Sequence, residues 1–138
     1  ETPTLAAPLI EGRGETILIV EDEVFLLEQM NELLQELNYK TILAHSGQEA
    51  LRMIETGVKA DLILTDIVMP GELQGTSLAK KLRQKWPDLP IVFMSGYASE
   101  ATVHGNGLRP EDIRLMKPVQ RSDLLAAMVK ASSQIKES

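Results

Sequence analysis

Five short apolar runs, separated by segments of a different periodicity, constrain the fold of this chain more than any other feature. The runs are four or five residues long and rich in β-branched residues, which is typical of strands and too short for buried helices. Polar residues rarely interrupt them, whereas a strand with one wet face would alternate apolar and polar residues. The sequence therefore predicts five buried strands, at 16–20, 41–44, 62–65, 90–94 and 113–116.

The segments between the strands favour helices. Apolar residues recur at helical spacing from Leu27 to Leu37, and Ser46-Gly47-Gln48-Glu49 matches a capping box that opens a second helix. Further helices are expected from about 76 to 86, where Pro87 stops the helix, and from about 121 to 135. The third helix presents Leu78, Leu82 and Trp86 on one side, and the last buries Leu124, Leu125, Met128 and Val129. Residues 98–110 contain two glycines and a proline, so any helix there should be short or irregular.

Strands that alternate with helices form a parallel sheet that is covered by helices on both faces. Right-handed crossovers leave a doubly wound α/β fold as the simplest arrangement. Ligands of such folds bind beyond the carboxyl ends of the strands, where the strand order reverses. The chemically distinctive residues of this chain also lie at strand carboxyl ends, so we expect its function there.

Length and composition fit one globular domain. A chain of 138 residues can bury a full core unaided, and we assign 15–138 to the domain and 1–14, with its prolines and glycines, to a linker or tail. The absence of cysteine excludes disulfides, thiolate metal sites and a cysteine nucleophile. The net charge of -6 argues against a nucleic-acid surface, and no apolar run approaches a membrane span. Because residue 1 is not Met, we expect a piece of a longer protein.

The ends of the strands carry the residues suited to chemistry. They are Glu21 and Asp22 after the first strand, Asp66 after the third, Ser95 after the fourth and Lys117 after the fifth. If the strands run in the order 2-1-3-4-5, Asp22 and Asp66 converge. Neighbouring carboxylates repel unless a cation or a proton intervenes, so without metal at least one should have a raised pKa. Oxygen donors of this kind suit Mg²⁺.

The same residues describe a pocket for a phosphoryl group in transfer. Lys117 adds a fixed positive charge on the other side of Asp66, and Ser95 adds a hydroxyl donor. Asp66 would attack phosphorus as a carboxylate nucleophile, while the protein supplies positioning and electrostatic stabilisation.

Four segments resemble the motifs of response-regulator receiver domains: IVEDE (19–23), LTDIVMPG (64–71), FMSGY (93–97) and LMKP (115–118). The resemblance covers about residues 15–135 and implies a flavodoxin-like fold with strand order 2-1-3-4-5. It implies Mg²⁺, or Mn²⁺ in its place, as the cofactor. The implied roles are Asp66 as phosphoacceptor, Asp22 as direct metal ligand, Glu21 as ligand through water, Val68 as backbone-carbonyl ligand, and Ser95 and Lys117 as partners of the phosphoryl group. The resemblance also implies a cis peptide bond between Lys117 and Pro118.

Two positions depart from the commonest family pattern. The acidic pair is Glu-Asp rather than Asp-Asp, which is a conservative change. Arg114 occupies the switch position, where an aromatic residue is common. This chain therefore has no aromatic ring at the switch position that could swing inward. Arg114 is expected either to reach an acidic partner or to face solvent.

The resemblance implies a cytoplasmic phosphoacceptor that dephosphorylates itself slowly, is not an enzyme by itself, and has a histidine kinase or histidine phosphotransfer protein as partner. The layout is most similar to the C-terminal receivers of hybrid histidine kinases. The alternatives are a stand-alone response regulator, a Mg²⁺-dependent phosphatase with an aspartate nucleophile, and a pseudo-receiver that is not phosphorylated. The phosphatases commonly place a second acid where this chain has Val68, and the complete set of acids, hydroxyl and lysine opposes a pseudo-receiver.

Other conspicuous residues have structural explanations. An isolated acid at a strand end, such as Glu21 or Glu23, is usually solvated, and Glu23 also suits the positive end of a helix. The cluster Lys80, Lys81, Arg83 and Lys85 is expected on the wet face of the third helix. His45 and His104 have no partner at ligand spacing.

Overall fold

The computed structural model describes residues 12, 14–67, 75–96 and 112–136. The strands are β1 (Thr16–Val20), β2 (Lys40–Ala44), β3 (Leu62–Asp66), β4 (Ile91–Ser95) and β5 (Ile113–Met116). The helices are α1 (Val24–Glu36), α2 (Gly47–Glu55), α3 (Gly75–Lys85) and α4 (Arg121–Lys136). None of these helices is long and apolar enough to cross a membrane. The predicted short or irregular helix at 98–110 lies outside the described residues.

The end of the predicted linker contacts the domain at Gly12. This residue is buried, and its N–H donates to the carbonyl oxygen of Leu37 at 2.7 Å. The side-chain amide of Asn38 donates to the Gly12 carbonyl oxygen at 2.6 Å. Gly12 is therefore attached to the turn between α1 and β2, whereas residues 1–11 and 13 lie outside the described residues.

The five strands form one parallel sheet in the order β2-β1-β3-β4-β5, which confirms the predicted fold class. The strand order reverses at β1, which has β2 on one side and β3 on the other. Val20 lies opposite Thr65, and Asp66 lies opposite Met94. Because the strands are parallel, the residues that follow β1 and β3 emerge side by side at the carboxyl edge of the sheet.

The core has two layers, one on each face of the sheet. Ile17 and Ile19 of β1 pack with α1 and α4, whereas Leu18 and Val20 pack with α2 and α3. Successive side chains of one strand are therefore buried on opposite faces. This burial on both faces explains why the strands appear in the sequence as continuous apolar runs.

The buried faces of α3 and α4 contain most of the residues that were predicted for them. Leu78 and Leu82 of α3 are fully buried, but Trp86 is 41% exposed because it lies beyond the end of the helix. In α4 the buried positions are Leu124, Ala127, Met128 and Ala131, and the partly buried ones are Leu125 and Val129. Two alanines thus take the places expected for two larger residues, because helical spacing, and not side-chain size, decides which positions face the sheet.

The side chain of Arg83 is nearly buried, although the prediction placed the whole basic cluster on the solvent-exposed face of α3. The three lysines of the cluster are exposed, but the side chain of Arg83 is only 9% exposed, and that of Asp112 is 5% exposed. The guanidinium donates to both carboxylate oxygens of Asp112, with Nη1 3.2 Å from Oδ2. Its Cζ atom lies 5.9 Å from the centre of the Phe93 ring. A bidentate ion pair therefore joins the last turn of α3 to the residue before β5.

A modified capping box opens α2. Ser46 Oγ accepts a hydrogen bond from the Glu49 N–H at 3.0 Å, as predicted. The Glu49 carboxylate accepts from the N–H of His45 and not from that of Ser46. This bond holds the pKa of Glu49 below its usual value, against the effect of burial. His45, whose ring nitrogen Nδ1 lies 3.2 Å from Glu49 Oε1, therefore takes part in the start of α2.

Candidate functional site

Backbone pairing fixes the predicted residues at the carboxyl edge of the sheet. Glu21 follows β1, and its N–H donates to the carbonyl oxygen of Ala44 at 3.1 Å. Lys117 follows β5, and its N–H donates to the carbonyl oxygen of Ser95 at 2.8 Å. Both residues thus extend the sheet beyond the strands, and Asp66 lies between them as the last residue of β3.

Lys117 connects the two most buried acids of the site. Its Nζ donates to Asp66 Oδ2 at 2.7 Å and lies 2.9 Å from Glu21 Oε1. Burial alone would lower the pKa of Lys117, but the bonds to Asp66 and Glu21 outweigh it and raise the pKa. Lys117 is therefore a permanent cation at neutral pH. The Lys117–Pro118 peptide bond is cis, which confirms the prediction.

Glu21 is more deeply buried than a strand-end acid usually is. Its exposed fraction is 1%, whereas Glu23 is exposed. Oε2 of Glu21 accepts from the Glu23 N–H at 3.2 Å. Oε1 is within ion-pair distance of Lys117 but meets no donor at a hydrogen-bonding angle among the residues that the structure describes. Glu21 therefore retains a buried oxygen that can accept a further ligand.

Three carboxylates form a compact cluster. One oxygen each from Glu21, Asp22 and Asp66 lie within 4.8 Å of one another. Asp66 is 5% exposed, and burial raises its pKa to about 7, with a further contribution from Glu21 and an opposing one from Lys117. The expectation that one acid of a metal-free cluster has a raised pKa is therefore confirmed.

The cluster suits a divalent cation with a preference for oxygen. Carboxylates are the hard ligands that Mg²⁺ takes in proteins, and three acids exceed the charge of the single lysine beside them. Oε1 of Glu21, which is ion-paired with Lys117 but accepts no hydrogen bond from the described residues, supplies a further acceptor. Asp22 is only partly buried, so a hydrated ion can approach from its side. The residues present are therefore consistent with a Mg²⁺ site.

The remaining predicted residues differ in their positions. Ser95 is buried at the end of β4, the strand next to β3. Arg114 is exposed on β5, opposite Phe93, so it is not a buried switch residue. Val68, Tyr97 and His104 lie outside the described residues.

Two residues to which the sequence assigned no role touch the backbone of Asp66. Thr65 Oγ1 donates to the carbonyl oxygen of Asp66 at 3.1 Å. Gly75 begins α3, and a Cβ atom there would overlap the same carbonyl oxygen. No periodicity or motif identifies the Gly75 contact, because it depends on how α3 folds back onto the end of β3.

A groove of about 370 Å³ runs along α1 to the site. One wall includes Gln29 and Leu33 of α1, and the other includes Val119, with Glu21 and Lys117 also in the lining. Apolar side chains at the start of α1, those of Val24 and Phe25, are exposed. Glu21 and Lys117 are therefore accessible from the α1 side of the molecule.

Known sequences match over most of this chain. The family model described as "Response regulator receiver domain" matches residues 17–129. Sensor kinase CckA of Brucella abortus (strain 2308) is 40% identical over 87 residues, which cover 62% of this chain and 9% of that protein. Transcriptional regulatory protein DltR of Streptococcus agalactiae serotype III (strain NEM316) is 34% identical over 111 residues, which cover 80% of this chain and 48% of that protein. The chain thus spans about half, or less, of the length of these relatives.

Solved structures share the same architecture. A response regulator receiver protein from Sinorhizobium medicae WSM419 has a TM-score of 0.79 at 29% identity, and the match covers 88% of this chain and 96% of that one. Response regulator protein TrrA from Thermotoga maritima, solved in complex with Mg(2+)-BeF, has a TM-score of 0.74 at 30% identity. That match covers 85% of this chain and 98% of TrrA.

Proposed function

This chain belongs to the family of response regulator receiver domains, and we propose that Asp66 is the residue that accepts the phosphoryl group. One observation carries the assignment: Asp66 is nearly buried, with an ammonium group on one side and two further carboxylates close by. A carboxylate held in this way is a nucleophile when a cation neutralises its neighbours. The donor is a phosphohistidine of a histidine kinase or of a histidine phosphotransfer protein.

Asp22 and Asp66 would hold Mg²⁺ directly, and Glu21 would hold it through water. The resemblance to the family adds the backbone carbonyl of Val68 as a fourth ligand. When bound, the ion supplies positive charge for the phosphoryl oxygens. The same oxygen ligands also suit Mn²⁺.

Transfer exchanges one bond to phosphorus for another. An oxygen of Asp66 bonds to phosphorus while the bond between phosphorus and the donor imidazole nitrogen breaks. The nitrogen keeps the electron pair, and the imidazole takes up a proton from water, so that neutral histidine leaves. Lys117 remains beside the transferred group, and the Ser95 hydroxyl donates to a phosphoryl oxygen.

Ser95 also offers a route for switching. Its carbonyl oxygen accepts from the Lys117 N–H at 2.8 Å, so movement of Ser95 toward the phosphoryl group would change the contact between the ends of β4 and β5. Arg114 lies on β5 and is exposed. A switch at this position would therefore move a charged side chain at the surface and not bury an aromatic ring.

We also propose that the domain is part of a hybrid histidine kinase in the cytoplasm, where ATP phosphorylates the donor. The 40% identity to sensor kinase CckA of Brucella abortus supports this context, and the 34% identity to DltR favours a response regulator with a separate output domain. The parent open reading frame distinguishes them: a dimerisation and ATP-binding module upstream supports the kinase, and a DNA-binding module downstream supports the regulator. By itself the domain would not be an enzyme, since it would accept one phosphoryl group and release it only slowly.

Labelling with acetyl phosphate and Mg²⁺ tests the role of Asp66. We expect wild type to gain one phosphoryl group by intact mass, with the label stable in acid and labile in base. D66N should remain unlabelled, since an amide is not a nucleophile toward phosphorus. D88N changes an exposed aspartate after α3 and should label like wild type. Label at another residue in D66N would overturn the assignment, and rapid hydrolysis of p-nitrophenyl phosphate would favour the phosphatase alternative.

A further inference from the structure

We propose that Gly75 is a positioning residue that holds the backbone of Asp66 where metal binding and phosphoryl transfer require it. The inference rests on the proposed role of Asp66 as phosphoacceptor. Gly75 is the first residue of α3 and is buried. Its N–H donates to the carbonyl oxygen of Ile67 at 3.0 Å, so the start of α3 is attached to the residue that follows Asp66.

Gly75 leaves no room for a side chain. A Cβ atom at this position would overlap the carbonyl oxygen of Asp66, and it would lie 2.9 Å from the carbonyl carbon of Asp66 and 3.1 Å from Cα of Ile67. All three are backbone atoms, so no rotamer change relieves the overlap. Any larger residue must therefore displace the start of α3 or the end of β3, by about 1 Å in a close-packed interior.

The peptide unit between Asp66 and Ile67 is held on its other sides as well. The Ile67 N–H donates to the carbonyl oxygen of Met94 at 2.9 Å, and Thr65 Oγ1 donates to the carbonyl oxygen of Asp66. The Ile67 side chain is buried in the core layer that contains α2 and α3. These contacts fix the unit from the sheet side, and Gly75 completes the enclosure from the helix side.

A displacement of this unit changes the site directly. The Asp66 carboxylate is placed 2.7 Å from Lys117 and within 4.8 Å of the oxygens of Glu21 and Asp22. Misplacing a reacting group by about 1 Å can slow a reaction by roughly 100-fold. A glycine with a purely structural role would instead reduce the folded fraction and leave the site intact in the molecules that remain folded.

A comparison of G75A with G57A separates these two roles. Gly57 has a φ of 110°, and a Cβ atom there meets nothing within 4 Å, so G57A strains the turn after α2 without touching the site. Both variants should lose stability in urea unfolding. Under conditions where each is folded, G75A should take phosphate from acetyl phosphate about 100-fold more slowly than wild type. G75A should also bind Mg²⁺ about tenfold more weakly, as followed by amide chemical shifts, whereas G57A should match wild type in both respects.

The outcomes distinguish the two proposals. Absence of label on Asp66 in wild type contradicts the proposed function, whatever Gly75 does. Label on wild-type Asp66, together with a rate and a Mg²⁺ affinity of G75A equal to those of G57A, contradicts the role of Gly75.

Hydrogen exchange in the wild type decides the question if G75A does not fold. Mg²⁺ should slow exchange of the Gly75 N–H, which is bonded to Ile67, by about threefold or more, since the ion would fix the Asp66 end of the same contact. The Gly57 N–H, which is bonded to Ile54, should exchange at an unchanged rate. Equal rates for the Gly75 N–H with and without Mg²⁺ would overturn the proposal.

Discussion

In the metal-free protein, the surroundings of Asp66 disfavour its charged carboxylate form. Burial, and then Glu21, raise its pKa from 3.8 to about 7 in spite of Lys117. Between these values the folded carboxyl holds a proton that the unfolded one has lost, so the free energy of unfolding falls as the pH rises toward 7. We expect metal-free D66N to be more stable than wild type by about 4 kcal/mol at pH 8 and equal to it near pH 4. Urea unfolding in EDTA across this range measures the difference.

Asp88 supplies the matched control for this prediction. It is exposed in the turn after α3, so D88N makes the same chemical change at a solvated acid. The pH dependence of unfolding should therefore be the same in D88N and in wild type. If wild type and D66N lose stability in parallel between pH 5 and pH 8, the buried charge of Asp66 is not the cause.

The identities of the site residues were predictable from the sequence, but several of their contacts were not. Asp22, Asp66 and Lys117 follow strands, and parallel strands bring such positions to one edge. The ion pair between Glu21 and Lys117 requires the lysine side chain to reach past the ends of β4 and β3, and strand position alone does not reveal that reach. The contact of Gly75 with Asp66 depends on the path of the chain back to α3, which no local pattern encodes.

Secondary-structure elements were predictable at their centres and less so at their ends. β1 and β5 have the predicted bounds, but β4 begins at Ile91 and not at Pro90. Proline has no N–H for the strand ladder, and Pro90 contributes only its carbonyl oxygen, which accepts from Ile63 at 3.0 Å. α1 begins at Val24, before the first periodic core residue, Leu27. Its first two residues, Val24 and Phe25, are exposed, so no buried apolar residue marks where the helix starts.

The Arg83–Asp112 pair joins α3 to β5, the strand that precedes Lys117. Because both side chains are nearly buried, removing one partner leaves the other charge uncompensated, so the losses of the two single variants should not add in the double variant. We expect R83M and D112A each to lower the free energy of unfolding by about 3 kcal/mol. The double variant should lose about 2 kcal/mol less than the sum of the two. A double-mutant cycle measured by urea unfolding gives this coupling energy.

The exposed pair of Lys85 and Glu55 is the control for that cycle. Its charged atoms are 4.0 Å apart, and both side chains are largely exposed. K85M and E55A should therefore show a coupling energy below about 0.5 kcal/mol. A coupling energy for Arg83 and Asp112 as small as that of the exposed pair would show that the buried pair does not tie the two elements together.

On the scale of the whole molecule, the order of the strands turns distant positions into neighbours. Asp66 and Lys117 are 51 positions apart in the chain and form a hydrogen bond. Alternating strands and helices predicted a doubly wound sheet, but right-handed crossovers allow more than one strand order. The resemblance to receiver domains supplied the order 2-1-3-4-5, which the structure confirms. This order brings the acids and the lysine together.

Binding of Mg²⁺ should therefore stabilise the entire fold, because its ligands meet only in the folded chain. A concentration about tenfold above the dissociation constant should add roughly 1.4 kcal/mol to the free energy of unfolding at pH 8. Protons and Mg²⁺ compete for Asp66, whose pKa of about 7 lies within the tested pH range. At the same Mg²⁺ concentration, the gain in the free energy of unfolding should therefore shrink as the pH falls to 5.5. Urea unfolding at both pH values, with and without MgCl₂, measures the gain.

Variants and salt distinguish binding at the cluster from general screening of the charge of -6. D22N should lose most of the Mg²⁺ gain but keep the pH dependence of the metal-free protein, since Asp66 remains. D66N should lose both, and D88N should lose neither. Screening by salt depends on ionic strength and not on the identity of the cation, so KCl at matched ionic strength should reproduce little of the gain. Equal gains at pH 5.5 and pH 8, or equal gains with KCl, would mean that Mg²⁺ acts on the surface and not at Asp22 and Asp66.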